Sequence, residues 1–355
     1  MTGTPVVHSK TPDPAGPAAP PASADLLSDL LATVHLSGAV LFRAELSEPW
    51  GVEVPDACDM ARMLPAPVEH VIPFHLVDDG ACWVEAGGGK RAWLSAGEAV
   101  LLPYGSAHRL GGREGAATTP VGSLLPTPPW AEMPLLRHGG RGGSTRIVCG
   151  FVHCEELLFS PFLQGLPPLL QARPGADPGA RWLATTIRYT AHEAMSEAPG
   201  SRSILPRLVE LMFVEVLRHH MRSLPGDQAG WLAAANDTVL GRALGWLHRA
   251  PAQSWTVERL ARRVGVSRTV LAERFVRRLG QPPMRYLARW RLQVGAHLLR
   301  TTSAPLKEIA DRVGYVSEAA FGRAFKRIFG RPPADWRRRA RNGAAPTSGP
   351  ASRAG

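Results

Sequence analysis

Arg274, Arg277 and Arg278 form one cluster of cations, and Lys326, Arg327 and Arg331 form another about fifty residues further on. Clustered guanidinium and ammonium groups suit the neutralisation of phosphates on a nucleic-acid backbone, which positions a protein without specifying a base. Each cluster lies in one copy of a repeated sentence. The first copy, 256–283, reads TVERLARRVGVSRTVLAERFVRRLGQPP, and the second, 304–333, reads APLKEIADRVGYVSEAAFGRAFKRIFGRPP. Leu260-Ala261 matches Ile309-Ala310, Val264-Gly265 matches Val313-Gly314, Ser267 matches Ser317 and Phe275 matches Phe325. The offset is 49 before the glycine and 50 after it, so the second copy carries one extra residue in its turn. A repeat whose slip falls in a turn predicts two structural units of one design.

Two histidines and four cysteines could do other chemistry. His75 and His108 lie in the first half of the chain, His108 closing the pattern Gly97-x5-Pro103-x-Gly105-x2-His108. No catalytic triad, carboxylate pair or phosphate loop stands near them, which argues against an active site. Cys58, Cys82, Cys149 and Cys154 are too few and too scattered for a disulfide scaffold, which fits a reducing cytoplasm. On a strand, Cys149 and Cys154 would face opposite sides. The cysteines read as small buried apolar residues; redox sensing through Cys82 or Cys58 is the other reading and requires an exposed low-pKa thiolate.

The elements that position these residues follow from periodicity and charge. Of the net +11 on 355 residues, the segment 237–341 holds 23 Lys and Arg against 7 Asp and Glu, a net +16; the remainder carries −5. Such asymmetry joins a polyanion-binding module to a domain of another kind. No apolar run approaches the ~20 residues that cross a bilayer, so no membrane partner is expected. The stretch 1–23 reads as a disordered leader and 342–355 as a disordered tail. Between them, 24–36 reads as an amphipathic helix, and strands are expected at 71–77, 81–85, 91–94, 99–102 and 146–153. The Gly- and Pro-rich stretch 113–143 reads as a long mobile loop. Helical periodicity returns at 182–195 and 204–224, where Leu208, Leu211, Met212 and Leu217 form an apolar face suited to a homodimer. The stretch 225–236 reads as a linker, and Asp237 caps the first helix of a self-contained unit, 237–341.

Within that unit each copy is a supporting helix, a glycine turn and a second helix. Val257, Leu260, Ala261 and Val264 pack inward, Gly265 supplies the left-handed turn and Ser267 caps the helix 268–279, which buries Val270, Leu271 and Phe275. Ile309, Ala310, Val313, Gly314, Ser317, Phe321 and Phe325 repeat these roles. A connecting helix, 285–300, carries Leu287, Trp290, Val294 and Leu298 on one stripe and holds the two units apart.

The segment resembles the DNA-binding domain of the AraC/XylS family of bacterial transcription regulators. The residues that carry the resemblance are Tyr286-Leu287-x-x-Trp290-Arg291-Leu292, Ile309-Ala310-x-x-Val313-Gly314-Tyr315 and Phe321-x-Arg323-x-Phe325-Lys326-x-x-Phe329-Gly330-x-x-Pro333. It implies that bases of double-stranded DNA are met by Arg268, Thr269, Ala272 and Glu273 in the first copy and by Glu318, Ala319, Gly322 and Arg323 in the second. Arg323 suits guanine O6 and N7 bidentately, with a phosphate contact as the other reading, and Glu273 either accepts from a cytosine amine or is solvated. Phosphates would be met by Ser267, Arg274, Arg277, Arg278, Ser317, Lys326, Arg327 and Arg331. Activation of transcription, with RNA polymerase as a partner, follows from the resemblance alone.

The first half resembles the cupin-type sensor domains joined to some of these regulators, through Leu41-Phe42-Arg43-Ala44, Pro49-Trp50-Gly51, Phe74-His75-Leu76-Val77, Gly80-x-Cys82-Trp83 and the His108 pattern. The implied fold is α+β and multidomain. A cupin-like β-barrel with flanking helices, 24–224, precedes an all-α double helix-turn-helix domain. Metal-binding cupins carry a His-x-His pair and a glutamate; here only His75 stands, with His70 five residues before it, and the position four after His108 is Gly112. A divalent metal wants three or more protein ligands, so neither metal nor cofactor is expected. His75, Trp83 and His108 are instead the candidate pocket for a small-molecule effector, with structural histidines as the competing reading. The chain thus reads as a regulator rather than an enzyme. The alternative is a cupin-type metabolite enzyme with an appended DNA-binding module, and a constitutive DNA-binding protein with a degenerate sensor also stays open.

Overall fold

A computed structural model describes residues 25–61, 71–89, 91–113, 115–127, 130, 132–153, 165–173, 178–196, 198–224 and 229–343. The leader 1–23, Cys154, His70 and most of the tail lie outside the described residues.

Two sheets form the first half. One has the order β11-β6-β3-β10-β1-β9, built from β1 (Ser37–Ser47), β3 (Val71–Asp79), β6 (Ala99–Leu101), β9 (Leu135–Gly139), β10 (Ser144–His153) and β11 (Leu170–Ala172). The other has the order β5-β4-β7-β2-β8, built from β2 (Gly51–Val54), β4 (Ala81–Ala86), β5 (Ala92–Ser95), β7 (His108–Gly111) and β8 (Thr119–Pro120). The described strands thus make two facing sheets. All five strands expected from short apolar runs between Gly- and Pro-rich joints are present. The stretch 113–143, expected to be a mobile loop, instead contributes β8, the short helix α3 (Val121–Leu124) and β9, whose Leu135 to Gly139 run parallel to Arg43 to Ser47 of β1. Glycine and proline hid this order because a parallel edge strand of five residues carries little alternation.

Period-two alternation divides the six-stranded sheet between two cores. Val77, Ile147, Cys149 and Phe151 face the other sheet, with Val52, Cys82, Val84 and Leu110 opposite them. Ile72, Phe74, Leu76, Val148 and Val152 face outward against α4 (Pro178–Ser196) and α5 (Ser201–Ser223), meeting Leu183, Ile187, Val209 and Phe213. Met212 and Leu217, expected on a dimer face, are therefore buried in this layer. A small helix, α2 (Ala57–Ala61), lies between β2 and β3.

The second core does not stop at the sheet. It runs on through α1 (Leu26–Leu31), α6 (Trp231–Asn236), α7 (Thr238–Arg249), α8 (Val257–Val264), α9 (Arg268–Leu279) and the first half of α10 (Pro283–Thr301). The helix expected over 24–36 is shortened to six residues capped by Asp25, whose carboxylate accepts from Ser28 N. The stretch 225–236, expected to be a linker, carries α6, in which Trp231 is 1% exposed. A WLAAAN run looks featureless in sequence, yet its apolar side is what covers α7 and α9.

Helices α11 (Leu306–Val313), α12 (Glu318–Phe329) and α13 (Pro333–Gly343) have a core of their own. Helix α10 serves both: Tyr286, Leu287 and Trp290 enter the first, Leu292, Ala296 and Leu299 the second. At 3.6 residues per turn these sets point to roughly opposite sides of the helix. The single stripe expected through Val294 and Leu298 is corrected by this division, since both are only half-buried.

Candidate functional site

The two helix-turn-helix units are built from the same local devices. Thr256 caps α8 by accepting from Arg259 N, and Gly265, at φ +77°, ends it. Ser267 Oγ accepts from Val270 N at 3.2 Å and starts α9. In the second unit α11 ends at Gly314, at φ +85°, and Ser317 Oγ accepts from Ala320 N at 3.2 Å to start α12. Gly314 is required twice over, since a Cβ there would also stand 2.7 Å from the Ala252 backbone. Leu260, Leu271 and Phe275 are fully buried in the first unit, as are Ile309, Ala310, Val313, Phe321 and Phe325 in the second. Val270, expected inside, is 38% exposed, one position off the buried stripe of Leu271 and Phe275.

Two arginines lock the units to the connecting helix. Arg291 donates through Nε to Pro251 O at 2.7 Å and through Nη2 to Gln253 O at 3.0 Å. Arg337 donates through Nη2 to Ala304 O at 2.6 Å. These fork-shaped donors satisfy carbonyls of the loops before α8 and α11 and tie those loops to α10 and α13.

The expected DNA contacts fall on the free faces of α9 and α12. Arg268, Thr269 and Glu273 are exposed and Ala272 is half-buried; Glu318, Ala319 and Arg323 are exposed and Gly322 is half-buried. Arg268 pairs at the surface with Glu258 at 3.1 Å. Among the expected phosphate contacts, Ser267, Arg277, Ser317, Lys326 and Arg327 are exposed. Arg274, Arg278 and Arg331 are half-buried: Arg274 reaches Asp237 at 3.7 Å, and the Arg331 guanidinium stands 6.0 Å from the Trp336 ring. Arg323, Lys326 and Arg327 make no ion pair with a described residue. They are cations held on a rigid helix and facing water.

Beneath α9 and α10 lies a polar aromatic cluster that sequence reasoning missed. Trp231 Nε1 donates to the Tyr286 hydroxyl at 2.8 Å, and that hydroxyl stands 2.7 Å from His248 Nε2. An indole only donates, so the tyrosine hydroxyl donates onward and His248 Nε2 accepts. The His248 ring stacks on Trp290 with centroids 3.7 Å apart. Burial lowers its pKa to about 3, so this imidazole is neutral. Its Nδ1 faces Asp29 of α1 at 3.9 Å, and Gln293 of α10 donates to Thr33 at 3.0 Å.

In the first half, the structure brings His75 and His108 together: their Nε2 atoms are 2.7 Å apart. His108 Nδ1 lies 2.9 Å from Ser106 O, and His75 Nδ1 lies 3.1 Å from Cys149 Sγ. A carbonyl can only accept, so His108 carries its proton on Nδ1. His108 Nε2 then accepts from His75, and His75 Nδ1 accepts from the Cys149 thiol. Burial is the first cause of the lowered pKa of both imidazoles, to about 4 for His108 and well below the ordinary value for His75. Burial also pushes the Cys149 thiol far up and the Cys82 thiol up to about 12. Neither is the exposed, low-pKa thiolate that redox sensing requires.

Trp83 does not join this pair. It lies on the opposite side of β4 from Cys82 and Val84, covered by the Arg91 guanidinium 4.0 Å from its ring. The void beside His75 and Cys149 is lined by apolar residues such as Phe42, Trp50 and Ile147 and measures about 20 Å³, room for about one water. His108 also borders an outer groove of about 270 Å³ with Glu53, Glu85 and Arg109. Among the described residues, no group of three His, Cys, Asp or Glu side chains is placed to hold a metal ion, and no helix is long and apolar enough to cross a membrane.

Comparison with known proteins agrees with this division. A cupin family model matches residues 25–222, and a helix-turn-helix domain model matches 260–339. An AraC-like transcription regulator of Streptomyces antibioticus is 36% identical over 272 residues, 76% of this chain and 87% of that protein. The RCS-specific HTH-type transcriptional activator RclR of Escherichia coli is 29% identical over 272 residues, 76% of this chain and 86% of its own length. Among solved structures, the DNA-binding domain of AdpA in complex with a target DNA is 32% identical, with 30% of this chain and 98% of that chain covered and a TM-score of 0.28. With a cupin domain joined to two helix-turn-helix units on one connecting helix, the chain belongs to the AraC-type transcription regulators.

Proposed function

We propose that the chain regulates transcription by laying α9 and α12 in successive major grooves of double-stranded DNA, with 237–341 as the DNA-binding half and 24–224 as a sensor and dimerisation half. The observation that carries this is the pair of capped helices whose outward faces hold Arg268, Arg277, Arg323, Lys326 and Arg327, both fixed on α10. Arg323 reads a guanine, and Lys326, Arg327 and Arg277 neutralise phosphates. The regulator acts in the bacterial cytoplasm as an activator that engages RNA polymerase.

Selection of bound duplexes from a random pool by the full chain tests this reading. The selected site is expected to hold two short boxes about 10 bp apart. Binding should weaken with salt with a log–log slope of magnitude above ~3. Arg323→Ala should cost about 1–3 kcal/mol and relax preference at one base pair. Arg327→Ala should instead weaken all DNA alike and reduce the slope by about one. A flat salt response, or the same uniform loss from both changes, overturns the assignment.

The homodimer is proposed on α4 and α5. Trp182 and Tyr189 on α4 are 53% and 47% exposed, and Ile204 and Leu211 on α5 are 37% and 38% exposed. Each pair is seven residues apart, two helical turns, and so shares a face. The combined change Trp182→Asp and Leu211→Asp is expected to give a monomer in sedimentation velocity while the folded circular-dichroism spectrum is kept; an unchanged dimer would place the interface elsewhere. For the effector, the supporting feature is the His75–His108 pair between the inner void and the outer groove. The inner void is too small for a metabolite, so a ligand would enter from the His108 side.

A further inference from the structure

The one-residue slip between the two repeats puts a valine where no core can use it. In the first unit Val266 N donates to Ala261 O at 3.1 Å, and in the second Tyr315 N donates to Ala310 O at 2.9 Å, so Tyr315 is the structural equivalent of Val266. Val266 is half-buried against the first core as the apolar residue just before the cap, the place from which a hydrophobic staple is made. In the second unit Tyr315 takes that work, its ring edge-on to Phe321 with centroids 5.5 Å apart. The inserted residue is Val316, which is 96% exposed, more than any other large apolar side chain among the described residues.

Val316 directly precedes Ser317, the cap of α12. Beside it stand the first-turn residues Glu318 and Ala319, both exposed, and Arg323, Lys326 and Arg327 follow on the helix. Helix-turn-helix proteins read base edges with the N-terminal residues of this helix. A valine offers no donor and no acceptor, so it contributes nothing to a phosphate or to a polar base edge. The apolar feature of the major groove is the thymine C5-methyl group. Resting on the reading of α12 as a groove-entering helix, we propose that Val316 is a specificity-determining residue that selects a thymine in the second box through its methyl group.

Single thymine-to-deoxyuridine replacements in the selected site test this, because they remove one methyl and nothing else. With the full chain, one thymine in the box bound by α12 should respond with about a fourfold loss of affinity, the worth of roughly one buried methyl. With Val316→Ala the same replacement should change affinity less than twofold, while binding to random duplex stays as in the parent. Val316 touches no core, so the variant's thermal midpoint should match the parent's and a folding defect cannot mimic the result. Tolerance of deoxyuridine at every position, or a methyl effect that persists in Val316→Ala, overturns the proposal while leaving DNA binding intact. Failure to select any duplex overturns both this and the reading on which it rests. A uniform loss of all DNA binding in Val316→Ala would make the valine a backbone contact and also overturn it.

Discussion

Trp231→Ala is expected to lower the stability of the chain by about 3–5 kcal/mol, the usual cost of emptying a large aromatic from a packed core. The side chain is 1% exposed, fills the seam between α6 and the first helix-turn-helix unit and donates to the Tyr286 hydroxyl. Trp231→Phe keeps most of the apolar area but loses the donor, so about 1 kcal/mol is expected from the hydrogen bond. Urea unfolding of the three proteins separates these terms. A cost below ~1 kcal/mol for the alanine change would mean that α6 does not belong to this core. The same seam lies just before 237, where the DNA-binding unit is expected to start. A fragment 237–343 lacks Trp231 and should unfold at lower urea than a fragment 229–343.

Acidification should destabilise the chain steeply between pH 6.5 and 5. Three fully buried histidines, His75, His108 and His248, have folded-state pKa values pushed down by burial, to about 4 for His108 and about 3 for His248. Unfolded, each titrates near 6.5, so the unfolded chain binds more protons as pH falls. Their stabilisation is fully present above about pH 6.5 and is lost as pH drops toward the folded values. Between pH 6.5 and 5 His108 and His248 should each cost somewhat under about 2 kcal/mol, a large part of an ordinary domain's stability, and His75 acts in the same direction. Asp29, whose carboxyl is raised by burial, acts in the opposite sense at lower pH, because its folded form takes up a proton early. His248→Phe keeps a ring on Trp290 and should make the slope of unfolding free energy against pH in this window clearly shallower. An unchanged slope would show that His248 is not held neutral in the fold.

Much of the DNA-binding half was legible in the order of residues alone. Gly265 and Gly314 need a left-handed backbone, Ser267 and Ser317 cap the next helix within three residues, and Phe275, Phe321 and Phe325 fall at helical spacing. These are local rules, satisfied inside a dozen residues, and the folded chain obeys them. The strands at 71–77 and 146–153 were legible for the same reason, because a short apolar run between turn residues is a local pattern even when the partner strand is distant. The His75–His108 contact was half legible: a pattern ending in His108 placed it on a barrel strand, but no sequence spacing says that two imidazoles will share one hydrogen bond.

What tertiary structure decided are the residues whose role depends on a neighbour far along the chain. Trp83 was expected inward and lies outward, since a strand's alternation sets which residues share a face but not which face meets the core. Cys149 became the donor to His75 only because β10 pairs with β3 in one register. Trp231, in a run without periodicity, is buried because α7, α9 and α10 converge on it. Val316 shows both kinds of determination at once. The slip that inserts it is written in the sequence, whereas its exposure follows from Tyr315 having taken the place against Phe321. Local order is encoded by torsional preference and capping within a few residues, and burial is a property of packing that appears only when distant surfaces meet.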